Sequence, residues 1–250
     1  DYNSYIAYGG GAVYVVFPGG VIEAVDAVTM TSLWVSEAVH EGYAIASPLL
    51  YEDGLLYTGI IDNAWSGTTG EYFCQEAADG SLKWRRTSEG NGYYWAGAVV
   101  AGPALVYGND DGLLVSVNRE TGEKLADFQA DGSIRSTIAR DGNMLYFTTQ
   151  NGKLYAVPID KDGLLEEKGA KSVSISERVD TSSSTPVVAG NRVYVGGGMK
   201  TAVGGELGVF EKAGLRNITT VPLRAKGQSS PLAQIAADGT VTLYTTYYGT

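Results

Sequence analysis

The residue types that most often carry catalysis or bind metals are scarce in this chain. It has one cysteine, Cys74, and one histidine, His40. One cysteine cannot form an internal disulfide or a thiolate cluster, and one histidine excludes a multi-histidine metal site. Cys74 follows Tyr72 and Phe73 in an apolar segment, which favours a buried, unreactive thiol over a nucleophile. His40 is predicted to lie at the surface, and no serine lies in a nucleophile elbow.

Carboxylates, in contrast, are abundant. The 28 Asp and Glu against 18 Lys and Arg give the 250-residue chain a net charge of -10. Such a chain repels phosphate backbones and anionic surfaces, so we expect no nucleic-acid partner. Residues 109–112 (Asn-Asp-Asp-Gly) and 160–163 (Asp-Lys-Asp-Gly) resemble parts of calcium loops. Neither has the full ligand spacing or the terminal glutamate, and hairpin turns explain both, so no metal site is predicted.

The elements that would position functional groups are predicted to be short β-strands joined by tight turns. Hydrophobic residues make up 44% of the chain and aromatic residues 10%, which is enough for a substantial core. The 34 glycines indicate many tight connections. No apolar run reaches the roughly 18 residues of a membrane span, so we expect no insertion of this domain into a membrane.

A repeat organises the whole chain. A turn followed by an alternating apolar segment recurs six times, at intervals of 39 to 50 residues, and each copy carries one tyrosine. Period-two alternation with β-branched and aromatic residues at this spacing is typical of four-stranded propeller blades rather than of helical repeats. The six tyrosines are Tyr14, Tyr57, Tyr107, Tyr146, Tyr194 and Tyr244.

Three further segments accompany each tyrosine-bearing strand. After it come a glycine and a second alternating run, and then a tight turn that leads to an outer strand, which in two copies starts with Trp34 or Trp84. Before it comes a segment of small residues, which suits an innermost strand near a narrow axis. These predicted innermost strands are residues 45–48, 95–98, 135–138, 183–186 and 229–231.

Together these segments resemble the pyrroloquinoline-quinone-like repeat of β-propellers, most clearly in residues 93–165. The resemblance implies an all-β propeller of four-stranded antiparallel blades in a single domain, 1–250. About five and a half blades are present, and we expect them to be part of a propeller of seven or eight. The predicted blades are 1–42, 43–92, 93–132, 133–178, 179–226 and a partial blade, 227–250.

Two narrower expectations follow from the resemblance. The chain looks most like propeller modules of large cell-surface proteins of Gram-positive gut bacteria, which implies an extracellular or cell-surface location. Quinone dehydrogenases of this fold have a vicinal cysteine pair, a tryptophan floor and calcium ligands. This chain has one cysteine and no such set, so we predict neither a bound quinone nor any other cofactor.

The predicted connections differ in length, and the long ones all fall on one face of the propeller. Function usually lies on such a face. Aromatic residues beside an arginine would form a platform for a sugar ring or a peptide side chain. For Trp95 the alternative interpretation is that its side chain only packs between blades. The candidate ligand contacts are Tyr43, Trp65, Tyr94, Trp95, Arg135 and Gln228.

Two functions from different classes remain open. The first is a non-catalytic extracellular recognition or scaffold module that binds protein or glycan through the long-loop face. The alternative is a polysaccharide-acting hydrolase or lyase that uses carboxylates in the propeller funnel. A carboxylate pair roughly 5 to 10 Å apart in the funnel would favour the enzyme, and a funnel lined by small residues would favour the binding module.

Overall fold

The computed structural model describes residues 5–62, 69–88, 90–201 and 203–247. Over these ranges the chain is all-β. Five antiparallel sheets follow a four-stranded plan, in one of which the first strand is interrupted, and a two-stranded sheet follows them. This confirms the predicted fold class. The helical structure in the described ranges is one short 3₁₀ turn, Pro18–Gly20, so none of these residues forms a helix that could cross a membrane.

Each sheet is built from consecutive strands, which pair in chain order. Sheet 1 contains β1 (Ile6–Gly9), β2 (Ala12–Phe17), β3 (Val21–Asp26) and β4 (Ser32–Val35). Sheet 2 contains β5 (Ala44–Ile45), β6 (Leu50–Glu52), β7 (Leu55–Ile61), β8 (Gly70–Glu76) and β9 (Leu82–Thr87). Both β5 and β6 pair with β7, so they act as one interrupted first strand.

The remaining sheets follow the same plan. Sheet 3 contains β10 (Val99–Ala101), β11 (Ala104–Gly108), β12 (Leu113–Asn118) and β13 (Lys124–Gln129). Sheet 4 contains β14 (Ala139–Asp141), β15 (Met144–Thr148), β16 (Lys153–Pro158) and β17 (Lys171–Ser174). Sheet 5 contains β18 (Val187–Ala189), β19 (Arg192–Gly198), β20 (Gly205–Glu211) and β21 (Asn217–Leu223). Sheet 6 contains β22 (Leu232–Ile235) and β23 (Val241–Tyr244).

The hydrophobic core lies between successive sheets rather than inside any one of them. A separate cluster of buried side chains joins each consecutive pair, from sheets 1 and 2 to sheets 5 and 6. The first strands of neighbouring sheets also contact each other, as β10 does with β14 and β14 with β18. The first strands therefore surround the axis, as the repeat predicts.

The small-residue segments are not themselves the innermost strands, so that prediction is wrong in position. In sheets 3, 4 and 5 the first strand begins directly after the segment, at Val99, Ala139 and Val187. Backbone groups of these segments also bond across to the segments of neighbouring sheets. The N–H of Thr137 donates to the hydroxyl of Thr185 at 3.1 Å, and the N–H of Ile138 donates to the carbonyl of Gly97 at 3.2 Å. Small side chains allow this close approach between sheets near the axis.

The recurring tyrosines are not all equivalent, contrary to the sequence alignment. In sheet 3 the first hairpin pairs Ala101 with Ala104, which makes Tyr107 the fourth residue of β11. Successive side chains of a strand point to opposite faces, so a shift of one residue moves Tyr107 to the other side of its sheet. It packs towards sheet 2. Four others are third in their strands and pack towards the following sheet: Tyr14, Tyr57, Tyr146 and Tyr194.

Candidate functional site

Each four-stranded meander returns the chain to the same face before the next sheet begins. That face carries the connections 36–43, 90–98, 130–138, 175–186 and 224–231, and we call it the connection face. A cavity of about 470 Å³ opens on it, and its lining residues come from segments next to the first strands of all six sheets and from the segment after β23. It is therefore axial, and we call it the axial cavity. Trp95, Arg135 and Gln228, three of the predicted ligand contacts, line it.

Equivalent positions in the repeat explain why these residues meet. Three lining residues lie six positions before the end of the first strands of sheets 3, 4 and 5: Trp95, Arg135 and Ser183. Tyr43 lies nine positions before the end of β6, which is too early to reach the axis. It stacks instead on His40, with ring centroids 3.8 Å apart and planes at 11°.

Arg135 is held by a carboxylate and by an aromatic ring. Its Nε and Nη2 donate to the two carboxylate oxygens of Asp110, each at 2.8 Å. Its guanidinium carbon lies 4.7 Å from the centre of the Tyr94 ring, which favours a cation–π interaction. Tyr94 in turn contacts Trp95, with ring centroids 4.6 Å apart. The predicted grouping of aromatic residues with an arginine is thus present, with Tyr94 supporting Arg135 and Trp95.

Trp95 has an unusual backbone conformation. Its φ is +61°, in the left-handed region that bulky side chains rarely adopt. Its N–H donates to the carbonyl of Ala46 at 2.7 Å, which ties the strained residue to sheet 2. The side chain is half-buried and lines the axial cavity, so it both packs on Tyr94 and faces solvent.

Trp65 and His40 are two further residues that the sequence singled out. Trp65 lies outside the described residues. His40 is partly exposed, as predicted, but it is also in contact with Glu71, whose Oε1 lies 3.2 Å from its Nδ1.

The axial cavity also contains residues that the sequence did not single out. Tyr5 and Tyr247 add aromatic rings, and burial, followed by the neighbouring Tyr94, raises the pKa of Tyr5 to about 12. Thr185 accepts the N–H of Thr137, and the N–H of Thr185 donates to the hydroxyl of Ser230 at 3.0 Å. A ladder of hydroxyl groups thus runs from sheet to sheet. Its members lie in or beside the small-residue segments, so the only sequence signal for them was the recurrence of serine and threonine.

The charge of the cavity differs from that of the chain. None of the described residues that line it is an aspartate or a glutamate. Asp110, which contacts Arg135, is already paired through both of its oxygens. The described lining therefore lacks the carboxylate pair that would favour a hydrolase, and it contains the small residues that would favour a binding module.

The two acidic segments form turns, as predicted. Oδ1 of Asn109 accepts the N–H groups of Asp111 and Leu113, and Oδ1 of Asp160 accepts those of Asp162 and Leu164. These oxygens therefore close the turns by bonding to the backbone. Over the described residues no group of three or more His, Cys, Asp or Glu could hold a metal ion.

Cys74 lies in β8 with no exposed surface, and burial raises the pKa of its thiol to about 12. A thiol in this state has almost no reactive thiolate at neutral pH. We therefore expect no labelling of the native chain by a thiol-reactive dye over a period in which the urea-unfolded chain is labelled completely. Labelling of the native chain at the rate of the unfolded chain would contradict this prediction.

Consecutive four-stranded meanders around an axial cavity define a β-propeller. The model of the family described as "Outer membrane protein assembly factor BamB" matches residues 18–246. The chain belongs to this family. No curated protein sequence matches it.

Two solved structures are similar in fold. The computationally designed Ika8 protein matches with a TM-score of 0.68 and 15% identity, covering 97% of this chain and 71% of that one. BamB from Moraxella catarrhalis matches with a TM-score of 0.63 and 15% identity, covering 98% of this chain and 84% of that one. At such identity the likeness concerns the fold. The narrower resemblance to surface proteins of Gram-positive gut bacteria gains no support from these matches and stays a prediction.

Proposed function

We propose that this propeller is a non-catalytic scaffold or recognition module that binds a protein through its connection face, at the cell surface or outside the cell. One observation carries the proposal: the connections between successive sheets lie on one face, and four of the five line a cavity whose described lining has aromatic and hydroxyl groups but no carboxylate. Such a surface suits contact better than acid–base chemistry, because most glycoside hydrolases use a pair of carboxyl groups.

The family match agrees with this choice. The matching family model and one similar structure carry the name of an outer membrane protein assembly factor, BamB, and an assembly factor acts through contact with other proteins. The exposed connections supply the contact area. The rigid core between the sheets holds them in place, which lowers the entropic cost of binding.

Site-specific photocrosslinking in cells tests the proposal. A photoreactive phenylalanine analogue replaces exposed residues of the connection face, Glu41, Glu177 or Arg224, and matched exposed residues of the opposite face, Asn143 or Asn191. We expect one discrete crosslinked protein from the first group and none from the second. Equal crosslinking from both faces, or none from the connection face, would overturn the proposal.

The alternative of a polysaccharide hydrolase or lyase makes the opposite prediction for a turnover assay. On our proposal, incubation with a panel of polysaccharides releases no reducing ends above the background of a heat-denatured sample. Release that is lost on substitution of a connection-face carboxylate would favour the enzyme instead.

A further inference from the structure

We propose that the axial cavity binds one uncharged sugar residue in its pyranose form, such as the end of a neutral glycan. This ligand site goes beyond the proposed function, which assigns the connection face to a protein and names no small-molecule ligand for the cavity. At about 470 Å³ the cavity lies in the range of roughly 300–1,000 Å³ that is typical of small-molecule sites.

Aromatic walls are the first requirement of such a site. Trp95, Tyr5 and Tyr247 line the cavity from three different sheets. The C–H face of a pyranose ring is apolar and packs on an aromatic ring, while its hydroxyl groups project outwards. Tyrosine and tryptophan offer large contact areas at a small cost in side-chain entropy.

Hydrogen-bonding groups that can both donate and accept are the second requirement. The hydroxyl oxygens of Thr185 and Ser230 each accept a backbone N–H, at 3.1 and 3.0 Å. A hydroxyl that accepts one bond still has its own proton to donate. Gln228 adds an amide with donors and an acceptor. The hydroxyl groups of a sugar, which donate and accept, match this mixed set.

Charge then selects an uncharged sugar over an acidic one. The described lining has no carboxylate, and its guanidinium, on Arg135, already has Asp110 as a bidentate partner. The carboxylate of a uronic acid or an acidic peptide would lose its hydration in the cavity. It would find no unpaired positive charge there, so its burial would cost free energy. An uncharged ligand avoids that cost.

The backbone of Trp95 gives independent support. A tryptophan at a φ of +61° is strained, and residues strained in this way cluster at active sites and ligand-binding sites. Asparagine tolerates this conformation much better. If Trp95 serves only packing, its replacement by asparagine should lower the free energy of unfolding. If it serves ligand contact, the same replacement should weaken binding and leave the fold intact.

The test uses the full chain, titrated with neutral mono- and oligosaccharides in a calorimeter after a glycan-array screen. Glucuronic and galacturonic acids and a set of tripeptides serve as competing ligand classes. We expect saturable binding of at least one neutral sugar. W95N and Q228A should each weaken it by roughly tenfold or more, with urea-unfolding midpoints at or above that of the wild type. Y8A, which alters an exposed ring on β1 that is not part of the cavity lining, is the control and should bind normally.

Several results would overturn the proposed sugar site. The proposal is wrong if no uncharged sugar binds, if acidic sugars or peptides bind more tightly, or if Q228A and W95N bind as well as the wild type. A large fall in the unfolding midpoint of W95N, together with normal binding by Q228A, would assign Trp95 to packing and would also overturn it. Crosslinking from the exposed connections is independent of these results, so the two proposals can fail separately.

Discussion

Replacement of Tyr107 by alanine is expected to lower the free energy of unfolding by about 3–5 kcal/mol, as for other large aromatic residues removed from a core. Tyr107 is fully buried in β11. Its ring stacks on Tyr72 at 4.0 Å with an interplanar angle of 4°, and Tyr93 meets it edge-on at 5.4 Å. Alanine would remove both aromatic contacts and leave a cavity at the centre of the core between sheets 2 and 3.

Urea unfolding followed by circular dichroism measures this effect. The matched control is Y8A, since Tyr8 is 69% exposed and its removal should change the free energy of unfolding by less than about 0.5 kcal/mol. A loss below about 1 kcal/mol for Y107A would mean that Tyr107 does not form part of a tightly packed core.

Replacement of Gly122 by alanine is expected to lower the free energy of unfolding by about 2–4 kcal/mol, from two separate causes. Gly122 has a φ of +73° in the turn between β12 and β13, which alanine adopts only with strain. In addition, an added Cβ would lie 2.7 Å from Cδ2 of Trp84. Trp84 cannot move away freely, because its Nε1 donates to the carbonyl of Arg119 in the same turn at 2.8 Å.

A second glycine separates the two causes. Gly142 has a similar φ, +61°, but an added Cβ would meet no atom within 4 Å. The free energy of unfolding of G142A should therefore fall only by the cost of backbone strain, about 1 kcal/mol. Equal losses for G122A and G142A in urea unfolding would show that the contact with Trp84 adds nothing. The packing itself recurs, since Trp34 covers Gly80 of the next sheet in the same way.

Much of the fold is predictable because each strand carries its own local signal. Alternating apolar residues identify the strands, and glycines with positive φ identify the hairpins between them, as at Gly102, Gly142 and Gly190, each with a φ of 61°. Recurrence of the whole unit then identifies a propeller. The exact alignment of the units was less secure, because Tyr107 looks like the other tyrosines but is shifted by one residue in its strand.

The candidate site was predictable only in part. Trp95, Arg135 and Gln228 could be placed near the axis because the sequence positions of the repeat converge there. Sequence alone could not distinguish Tyr43 from these residues. It lies nine positions before the end of its first strand instead of six, and no local sequence pattern marks this shift of three residues. The ion pair of Arg135 with Asp110 was not predictable either, because the two residues lie 25 positions apart, one in the turn between β11 and β12 and the other in the connection between sheets 3 and 4.

The sequence by itself therefore determined the class of fold and the four-stranded plan of its units, and it predicted the face on which the long connections lie. These properties depend on short-range patterns, which each segment contains. Only the tertiary structure decided which side chains share the axial cavity, how the charge of Arg135 is compensated and which sheet Tyr107 packs against. These depend on strand register and on contacts between sheets, and a shift of one residue reverses the face to which every side chain of a strand points.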